Sequence, residues 1–391
     1  MTLARTLFAL LVVQVPPPAM TPPHIVRAQD FPLFPSAAPT YDLVSFVPGP
    51  VRCDLAAVRP ERVVTPFDTS TARYARPTGL LRPRPAAGVR MFDFAIDTAG
   101  RPVTIRQRPP APEHFGDDGD LAPALAAWRF PAGAARTACT VGFAVTTTPI
   151  DRAPVASLAR LLAGPTVGPA GATAFARLKP AGTTCYDPPR ANVRSMNYPP
   201  FERFTEPNGD WNHIYLSYDI NAAGKPVAVR TIASSGNAAF DAAARAALAR
   251  NRYEPGVRSG CLMRYHSGSA PMPEPAASAA PVATKGPDCP ADLRQVMTLP
   301  PGRPYPPGFM RRGITGSATV RFDVASWGKT GNVTVLTAEP AEAFGRTARM
   351  MIEQATIVPS PSGYRGCVST VRFRLPDRGD TAAPGAWLAP D

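Results

Sequence analysis

Residues 198–255 read YPPFERFTEPNGDWNHIYLSYDINAAGKPVAVRTIASSGNAAFDAAARAALARNRYEP, and two other parts of the chain repeat this pattern. Side chains alternate in character from Ile214 to Ile220, and a period of two is typical of a strand with one buried face. Gly224 marks a turn, because glycine adopts positive φ without steric cost. A second strand is predicted over residues 227–231.

A helix is predicted after the second strand. Asn237 can cap this helix by accepting a hydrogen bond from one of its first free N–H groups, and Tyr253 with Pro255 ends it. A third short strand follows at residues 261–265. The unit therefore reads strand, strand, helix, strand, with a short helical turn in front. The apolar stripe of the helix comprises Phe240, Ala244, Ala247 and Leu248, with Asn251 at its polar end.

The same unit recurs after Tyr305-Pro306, with a turn at Gly331 and an end at Pro359. A more degenerate copy is predicted over residues 89–146, where coincidence among common apolar patterns is the alternative interpretation. The helix stripe of the later copy comprises Phe344, Ala348, Met351, Ile352 and Ala355. The pattern of the degenerate copy is carried by Phe92, Phe94, Ile96, Gly100, Val103, Ile105, Leu121, Leu125 and Trp128.

Six cysteines fall two to each copy, one upstream of the unit and one opening its last strand. Neither a Cys-x-x-Cys motif nor a nearby histidine accompanies them, so disulfides are favoured over a metal site, with free buried thiols as the alternative. Disulfides would place the protein in an oxidising compartment. The repeat selects the pairs Cys53 with Cys139, Cys185 with Cys261, and Cys289 with Cys367.

The chain has 391 residues, which suits several small domains, and its 50 prolines indicate long irregular connections. The predicted order is a signal peptide or short anchor at 1–28, a Pro-rich segment at 29–88 partly tied to the first domain, and domain one at 89–146. It continues with a linker at 147–184, domain two at 185–267, a Pro/Ala linker at 268–288, domain three at 289–376 and a disordered tail at 377–391.

The net charge of +13 raises the question of nucleic-acid or anionic-surface binding. The basic residues are almost all arginines, and they are scattered without the clusters or interleaved aromatic residues of a nucleic-acid groove. An affinity for acidic envelope surfaces is therefore favoured over nucleic acid.

The N-terminus carries one arginine followed by a nine-residue apolar run, Leu7 to Val15. Such a run suits the core of a signal peptide and is too short to span a bilayer. We therefore expect an exported periplasmic protein, either cleaved or held weakly at the inner membrane.

No pattern typical of catalysis is found. The four histidines are isolated in sequence, and no nucleophile elbow or phosphate-binding glycine loop occurs. Asp117, Asp118 and Asp120 are predicted to form a solvated turn that caps the following helix. We therefore predict no enzyme activity, no cofactor, no metal and no small-molecule substrate.

The second and third copies resemble the C-terminal domain of TonB, the periplasmic protein that couples inner-membrane energy to outer-membrane transporters. This resemblance implies an α+β fold of three tandem small domains, each a three-stranded antiparallel sheet with one or two helices on one face. The partners implied are extended segments of an outer-membrane transporter or another envelope protein. The motif is carried by Tyr198, Pro199, Leu216, Tyr218, Ile220, Gly224, Val227 and Val229, by Tyr305, Pro306, Val320, Phe322, Val324, Val333 and Val335, by the Ser-Ser-Gly run at 234–236, and by the helix end at Arg252, Tyr253 and Pro255.

Two functions follow from the resemblance. In the first, the protein binds envelope proteins by β-strand addition, with TonB-type energy transduction as its implied use. In the second, it is a periplasmic scaffold or cell-wall-binding module without energy coupling. A TonB-type transducer carries a full membrane-spanning anchor and a charged Pro-rich spacer, whereas the apolar run here has nine residues and the Pro-rich segments show no charge alternation.

A three-stranded sheet leaves unpaired edges that can accept another strand. In the third copy the last strand runs from Val368 to Leu375, and Val371 and Phe373 are predicted to face the core. Basic outward side chains would favour an acidic peptide. The predicted partner-binding edge comprises Val368, Thr370, Arg372 and Arg374.

The cysteine pattern makes a first testable prediction. Peptide mapping of periplasmically produced protein under non-reducing conditions should find Cys185 linked to Cys261 and Cys289 linked to Cys367. Free thiols at these four positions would contradict both the pairing and the oxidising compartment.

Overall fold

A computed structural model describes residues 40–73, 88–109, 118–164, 170–206, 208–275, 286, 288–290, 292–300, 304–375 and 385–388. The predicted signal segment lies outside these residues. The chain from Thr40 onward forms one compact unit. Among the described residues, no helix is long and apolar enough to cross a membrane.

Three modules share one connectivity, and the fold is mixed α+β built on antiparallel sheets, as predicted. We define them as the first module (40–149), the second module (182–267) and the third module (286–388). In each module the first strand of the predicted unit lies in the middle, flanked by the second and last strands. This order follows from a tight hairpin and then a helix that returns the chain across one face of the sheet.

The first module has seven strands instead of the three expected, because strands from the Pro-rich segment join its sheet. The last strand is long enough to pair with the expected hairpin and with these extra strands. The sheet order is β3-β2-β7-β1-β4, with β5 between β7 and β6. The elements are β1 (Thr40–Pro48), β2 (Val51–Cys53), β3 (Ala56–Val58), β4 (Thr69–Arg73), β5 (Gly88–Ile96), β6 (Pro102–Gln107), α1 (Leu121–Ala126) and β7 (Arg136–Pro149).

Two helices, α2 (Val155–Ala163) and α3 (Ala170–Leu178), connect the first and second modules. Both lie in the stretch that was predicted to be a linker, residues 147–184. Both belong to an apolar cluster that includes Leu43 of β1 and Tyr215 of the second module. The predicted linker is therefore packed structure, because its leucines and alanines bury apolar surface against both modules.

The second module has the predicted three-stranded sheet, in the order β10-β9-β12, with α4 packed on one face. Asn237 caps α4, its side chain accepting a hydrogen bond from the Phe240 N–H at 3.1 Å. The elements are β8 (Val193–Ser195), β9 (Asn212–Ile220), β10 (Pro226–Ser234), α4 (Ala238–Arg250), β11 (Arg252–Tyr253) and β12 (Arg258–Ser267), and β8 pairs with β11.

The third module has four strands, in the order β15-β14-β17-β18. The prediction of a disordered tail was wrong for residues 385–388, which form β18. The elements are α5 (Leu293–Val296), β13 (Met297–Thr298), α6 (Pro307–Arg311), β14 (Gly316–Val324), β15 (Thr330–Glu339), α7 (Glu342–Glu353), β16 (Thr356–Ile357), β17 (Tyr364–Arg374) and β18 (Gly385–Leu388).

The three predicted disulfides are present, which confirms the pairing inferred from the repeat. Each bond fastens the last strand of a module to an upstream segment. The bonds are Cys53–Cys139, Cys185–Cys261 and Cys289–Cys367.

A buried arginine joins all three modules. The guanidinium of Arg312, in the third module, pairs with Asp120 of the first module, and its Nε lies 2.7 Å from the carboxylate. It also donates to the carbonyl oxygen of Thr65 at 3.1 Å and to that of Gly209, in the second module, at 2.8 Å. Its carbon lies 4.6 Å from the Phe67 ring centre. The expectation that Asp120 belongs to a solvated turn was wrong, since its side chain is almost fully buried.

We expect the Arg312→Met variant to lose about 3 to 5 kcal/mol of unfolding free energy, because it leaves the Asp120 carboxylate buried and unpaired. Urea unfolding monitored by fluorescence would measure this loss. Arg346→Met is the matched control, since Arg346 is exposed and pairs with Glu342 within one helix. That control should cost less than about 1 kcal/mol. Equal stability of the two variants would contradict the structural role of Arg312.

A second contact between the first and third modules depends on a buried carboxylate. Glu339 is 5% exposed, and its Oε2 accepts a hydrogen bond from the Thr104 N–H at 2.7 Å. Burial raises the pKa of Glu339 from 4.5 to about 7, with the nearby Asp97 charge adding to the effect. The folded protein therefore binds this proton more tightly than the unfolded chain does.

It follows that the unfolding free energy should rise as the pH falls from about 7 towards 4.5, by up to about 3 kcal/mol from this group. Glu339→Gln keeps an acceptor for Thr104 and removes the charge, so it should abolish this contribution and stabilise the protein at pH above 7. Urea titrations of wild type and variant across this range provide the measurement. Parallel pH profiles for the two proteins would contradict the assignment.

Candidate functional site

Among the described residues, several buried titratable side chains are engaged in packing and ion pairs. No group of three or more His, Cys, Asp and Glu among them is placed to hold a metal ion. A polar cavity of about 270 Å³ lies at the junction of the modules, and two arginines line it. Both are already paired, Arg160 with Asp68 at 2.9 Å and Arg312 with Asp120.

The histidines of the second module also have packing roles. His213 is 8% exposed, and burial, reinforced by Arg160, lowers its pKa. The Trp211 ring stacks on His266 with centres 5.9 Å apart. Asp210 also lines the cavity, and its carboxylate accepts a hydrogen bond from the Trp211 N–H at 2.9 Å. We take the strand edges as the candidate sites because the sheet order leaves them open to a further strand.

The last strand of the third module, β17, has the predicted orientation. Val371 and Phe373 are fully buried, and the Phe373 ring lies 5.1 Å from that of Phe344 and 5.7 Å from that of Tyr305. The opposite face of the sheet carries the alternate side chains. They are those of Val368, Thr370, Arg372 and Arg374.

The outer edge of β17 can be identified from one hydrogen bond. The Gly366 carbonyl accepts from the Gly286 N–H at 2.9 Å, on the side away from β14. The C=O of Gly366 and the N–H of Cys367 belong to one peptide unit and point in opposite directions. The N–H of Cys367 therefore faces β14, and that of the next residue, Val368, faces outward. Alternate residues repeat this direction. The outward-facing peptide groups are therefore those of Val368, Thr370 and Arg372.

This edge is only partly open. β18 pairs with β17 over residues 371–374, where Arg372 lies opposite Trp387 and Arg374 lies opposite Gly385. No described strand pairs with the outer edge over residues 364–370. The expectation of a fully free edge therefore needs correction, because Arg372 and Arg374 lie beside the chain's own strand. Val368 and Thr370 lie on the unpaired part.

The start of β17 is held rigidly. The disulfide to Cys289 and a hydrogen bond from the Gly366 N–H to Asp323 at 2.8 Å fix it. A hydrogen bond from Asn332 to Asp323 lowers the pKa of that carboxyl. A rigid edge binds an extended segment at a lower entropic cost than a mobile one would.

The Tyr-Pro motifs occupy different environments in the two later modules. The Tyr305 hydroxyl donates to the Ile314 carbonyl at 2.7 Å, and burial raises its pKa. Tyr198 is 61% exposed, and its ring packs edge-on against Tyr265 of β12 at 6.4 Å. Gly224 has φ of +73°, as its turn requires. The two prolines that complete the motifs, Pro199 and Pro306, are buried.

Sequence reasoning missed β18 because its four residues lie in a Pro- and Ala-rich tail. The only available signal was the apolar pair Trp387-Leu388. It also missed the buried role of Asp120, since an acidic residue beside glycine is most often solvated.

The family model of the Gram-negative bacterial TonB protein C-terminal matches residues 301–375. These residues form the third module from just before Tyr305 to the end of β17. The match supports the predicted resemblance for this module, and the predicted tandem repetition of the domain is not confirmed. No curated protein matches the chain. A domain of this type indicates a TonB-like envelope protein located in the periplasm.

Proposed function

We propose that this protein binds extended segments of other envelope proteins by adding them as strands to the outer edge of β17. The observation that carries the proposal is β18, a short antiparallel strand already seated on that edge. Its presence indicates that the edge accepts a strand. A partner would extend along residues 364–370, displace β18, or do both.

The chemistry of this edge favours an acidic partner. The alternate side chains Arg372 and Arg374 are basic, and Arg365 at the start of the strand is exposed. The Nε of Arg372 is buried without a hydrogen-bond partner among the described residues. A carboxylate on the added strand would satisfy this donor, and backbone hydrogen bonds would supply the remaining affinity.

TonB-type energy transduction to an outer-membrane transporter is the use that the family match supports. Periplasmic scaffolding without energy coupling is the second candidate, and one observation favours it. Arg312 holds the three modules together through buried hydrogen bonds, which suits a fixed platform for partners. Only the first candidate requires binding by the β17 edge, and neither involves catalysis.

Proline substitution tests the edge directly. Thr370→Pro and Arg372→Pro each remove an outward-facing N–H donor, and proline is tolerated at such edge positions. We expect both variants to lose capture of an outer-membrane transporter from envelope extract. Thr370→Ala and Arg372→Ala keep the donor, so they should only weaken it.

Truncation after Leu375 is the complementary variant. The truncated protein lacks β18 and should capture more transporter, because the partner segment no longer competes with β18 for the outer edge of β17. Peptide mapping of the Cys289–Cys367 bond confirms folding of every variant. If both proline variants fold, keep the disulfide and capture the transporter normally, the edge is not the binding surface and scaffolding gains support.

A further inference from the structure

The three modules differ in what covers the outer edge of their last strand. In the first module β1 pairs with β7 from Phe143 onward, four residues after Cys139. In the third module β18 pairs with β17 from Val371 onward, four residues after Cys367. Both added strands are antiparallel, and both begin at the same distance from the disulfide. The fold therefore contains one strand-accepting position, which the chain itself fills twice.

The second module leaves that position uncovered in the part of the chain that the structure describes. The equivalent position in the second module is Tyr265, four residues after Cys261. At this position β12 pairs with β9 on its inner edge. No described strand lies on the other edge. The upstream part of that edge is covered near Gly260, whose carbonyl accepts from the Thr183 hydroxyl at 2.9 Å.

The free peptide groups of β12 can be assigned. The Gly260 carbonyl, which accepts from the Thr183 hydroxyl, faces away from β9, so the N–H of Cys261 in the same peptide unit faces β9 and that of Leu262 points outward. Alternate residues of a strand repeat this direction. Arg264 and His266 therefore direct their N–H and C=O groups outward, and both residues are exposed.

Two surfaces of different chemistry flank this edge. On one side Arg264 is exposed, and Lys179 lies 4.3 Å from the Tyr186 ring centre; neither forms an ion pair within the described residues. On the other side the exposed Tyr198 ring packs against Tyr265. Met196 extends this apolar surface and is held by the Asn251 side-chain amide at 3.3 Å.

An added strand places successive side chains on opposite faces. One set would therefore meet Arg264 and Lys179, and the other set would meet Tyr198 and Met196. Acidic side chains suit the first surface, and apolar side chains suit the second.

We propose that the outer edge of β12 is a second docking site, specific for an extended segment of another envelope protein in which acidic and apolar residues alternate. The proposal rests on the proposed function only in its mode of binding, strand addition. It assigns the site to a different module, whose edge needs no displacement of the chain's own strand.

A fluorescent peptide of alternating glutamate and valine is the probe, with a lysine–valine peptide as the charge control. Fluorescence anisotropy with the full-length protein should show binding of the first peptide and at least tenfold weaker binding of the second. His266→Pro removes an outward N–H and should lower the affinity for the glutamate–valine peptide at least tenfold. His266→Ala keeps this N–H and should change that affinity less than threefold.

Arg264→Glu is the second variant, for use if the proline variant does not fold. It keeps every backbone donor, and it should lower the affinity for the glutamate–valine peptide and raise the affinity for the lysine–valine peptide. Thr370→Pro separates the two proposals, because it alters β17 and leaves β12 intact. Unchanged peptide affinity in Thr370→Pro, together with loss in the β12 variants, supports the second site.

Three results with the wild type and the β12 variants would overturn the proposal for β12. They are absence of peptide binding, equal affinity in wild type and both β12 variants, and dimers that dissociate on His266→Pro, which would assign the edge to a second copy. Loss of peptide binding in Thr370→Pro alone would also overturn it, while leaving the proposed function of β17 standing. If the protein binds the peptide at β12 but captures no transporter, the proposed function of β17 is contradicted and the proposal for β12 stands.

Discussion

The ion pair between Arg312 and Asp120 is the interaction on which the arrangement of the three modules depends. A single guanidinium binds a carboxylate of the first module and a carbonyl of the second, and it packs on Phe67. Asp120 also accepts from the Phe67 N–H at 2.8 Å, so the carboxylate is satisfied on both sides. Removing one partner of such a buried pair lowers the unfolding free energy by far more than the intact pair contributes net, because the other charge is left buried and unpaired. The junction therefore tolerates only one arrangement of these two residues.

The unpaired edge of an antiparallel sheet is the second constraint, and the chain handles it differently in each module. The first module recruits β1 from the Pro-rich segment, and the third recruits β18 from the tail. Exposed edges invite association with other chains, so covering them limits unwanted pairing. An edge left uncovered is then the natural place for a chosen partner. The junction adjoins the β12 edge, since Trp211 packs against Phe67 and stacks on His266.

Much of the fold could be predicted because the governing patterns are local. Alternation over Ile214–Ile220, the Asn237 cap and the helix stripes are read from neighbouring residues, and the structure confirms them. The disulfides could also be predicted, since the repeat places one pair in each module. The candidate edge was predicted in part. The buried side chains of β17 were right, while the cover on Arg372 and Arg374 was not foreseen.

Periodicity and spacing directly encode the strand–strand–helix–strand units, the cysteine pairs and the orientation of β17, so these features can be predicted without a structure. Three features emerge only from the tertiary structure: which edges are covered, the burial of Asp120 against Arg312, and the packing of α2 and α3 between modules. These features depend on contacts between residues far apart in the chain, such as the pair 192 residues apart at the junction. A short strand such as β18 acquires its conformation from the edge that it joins, and its own four residues carry too little pattern to reveal it.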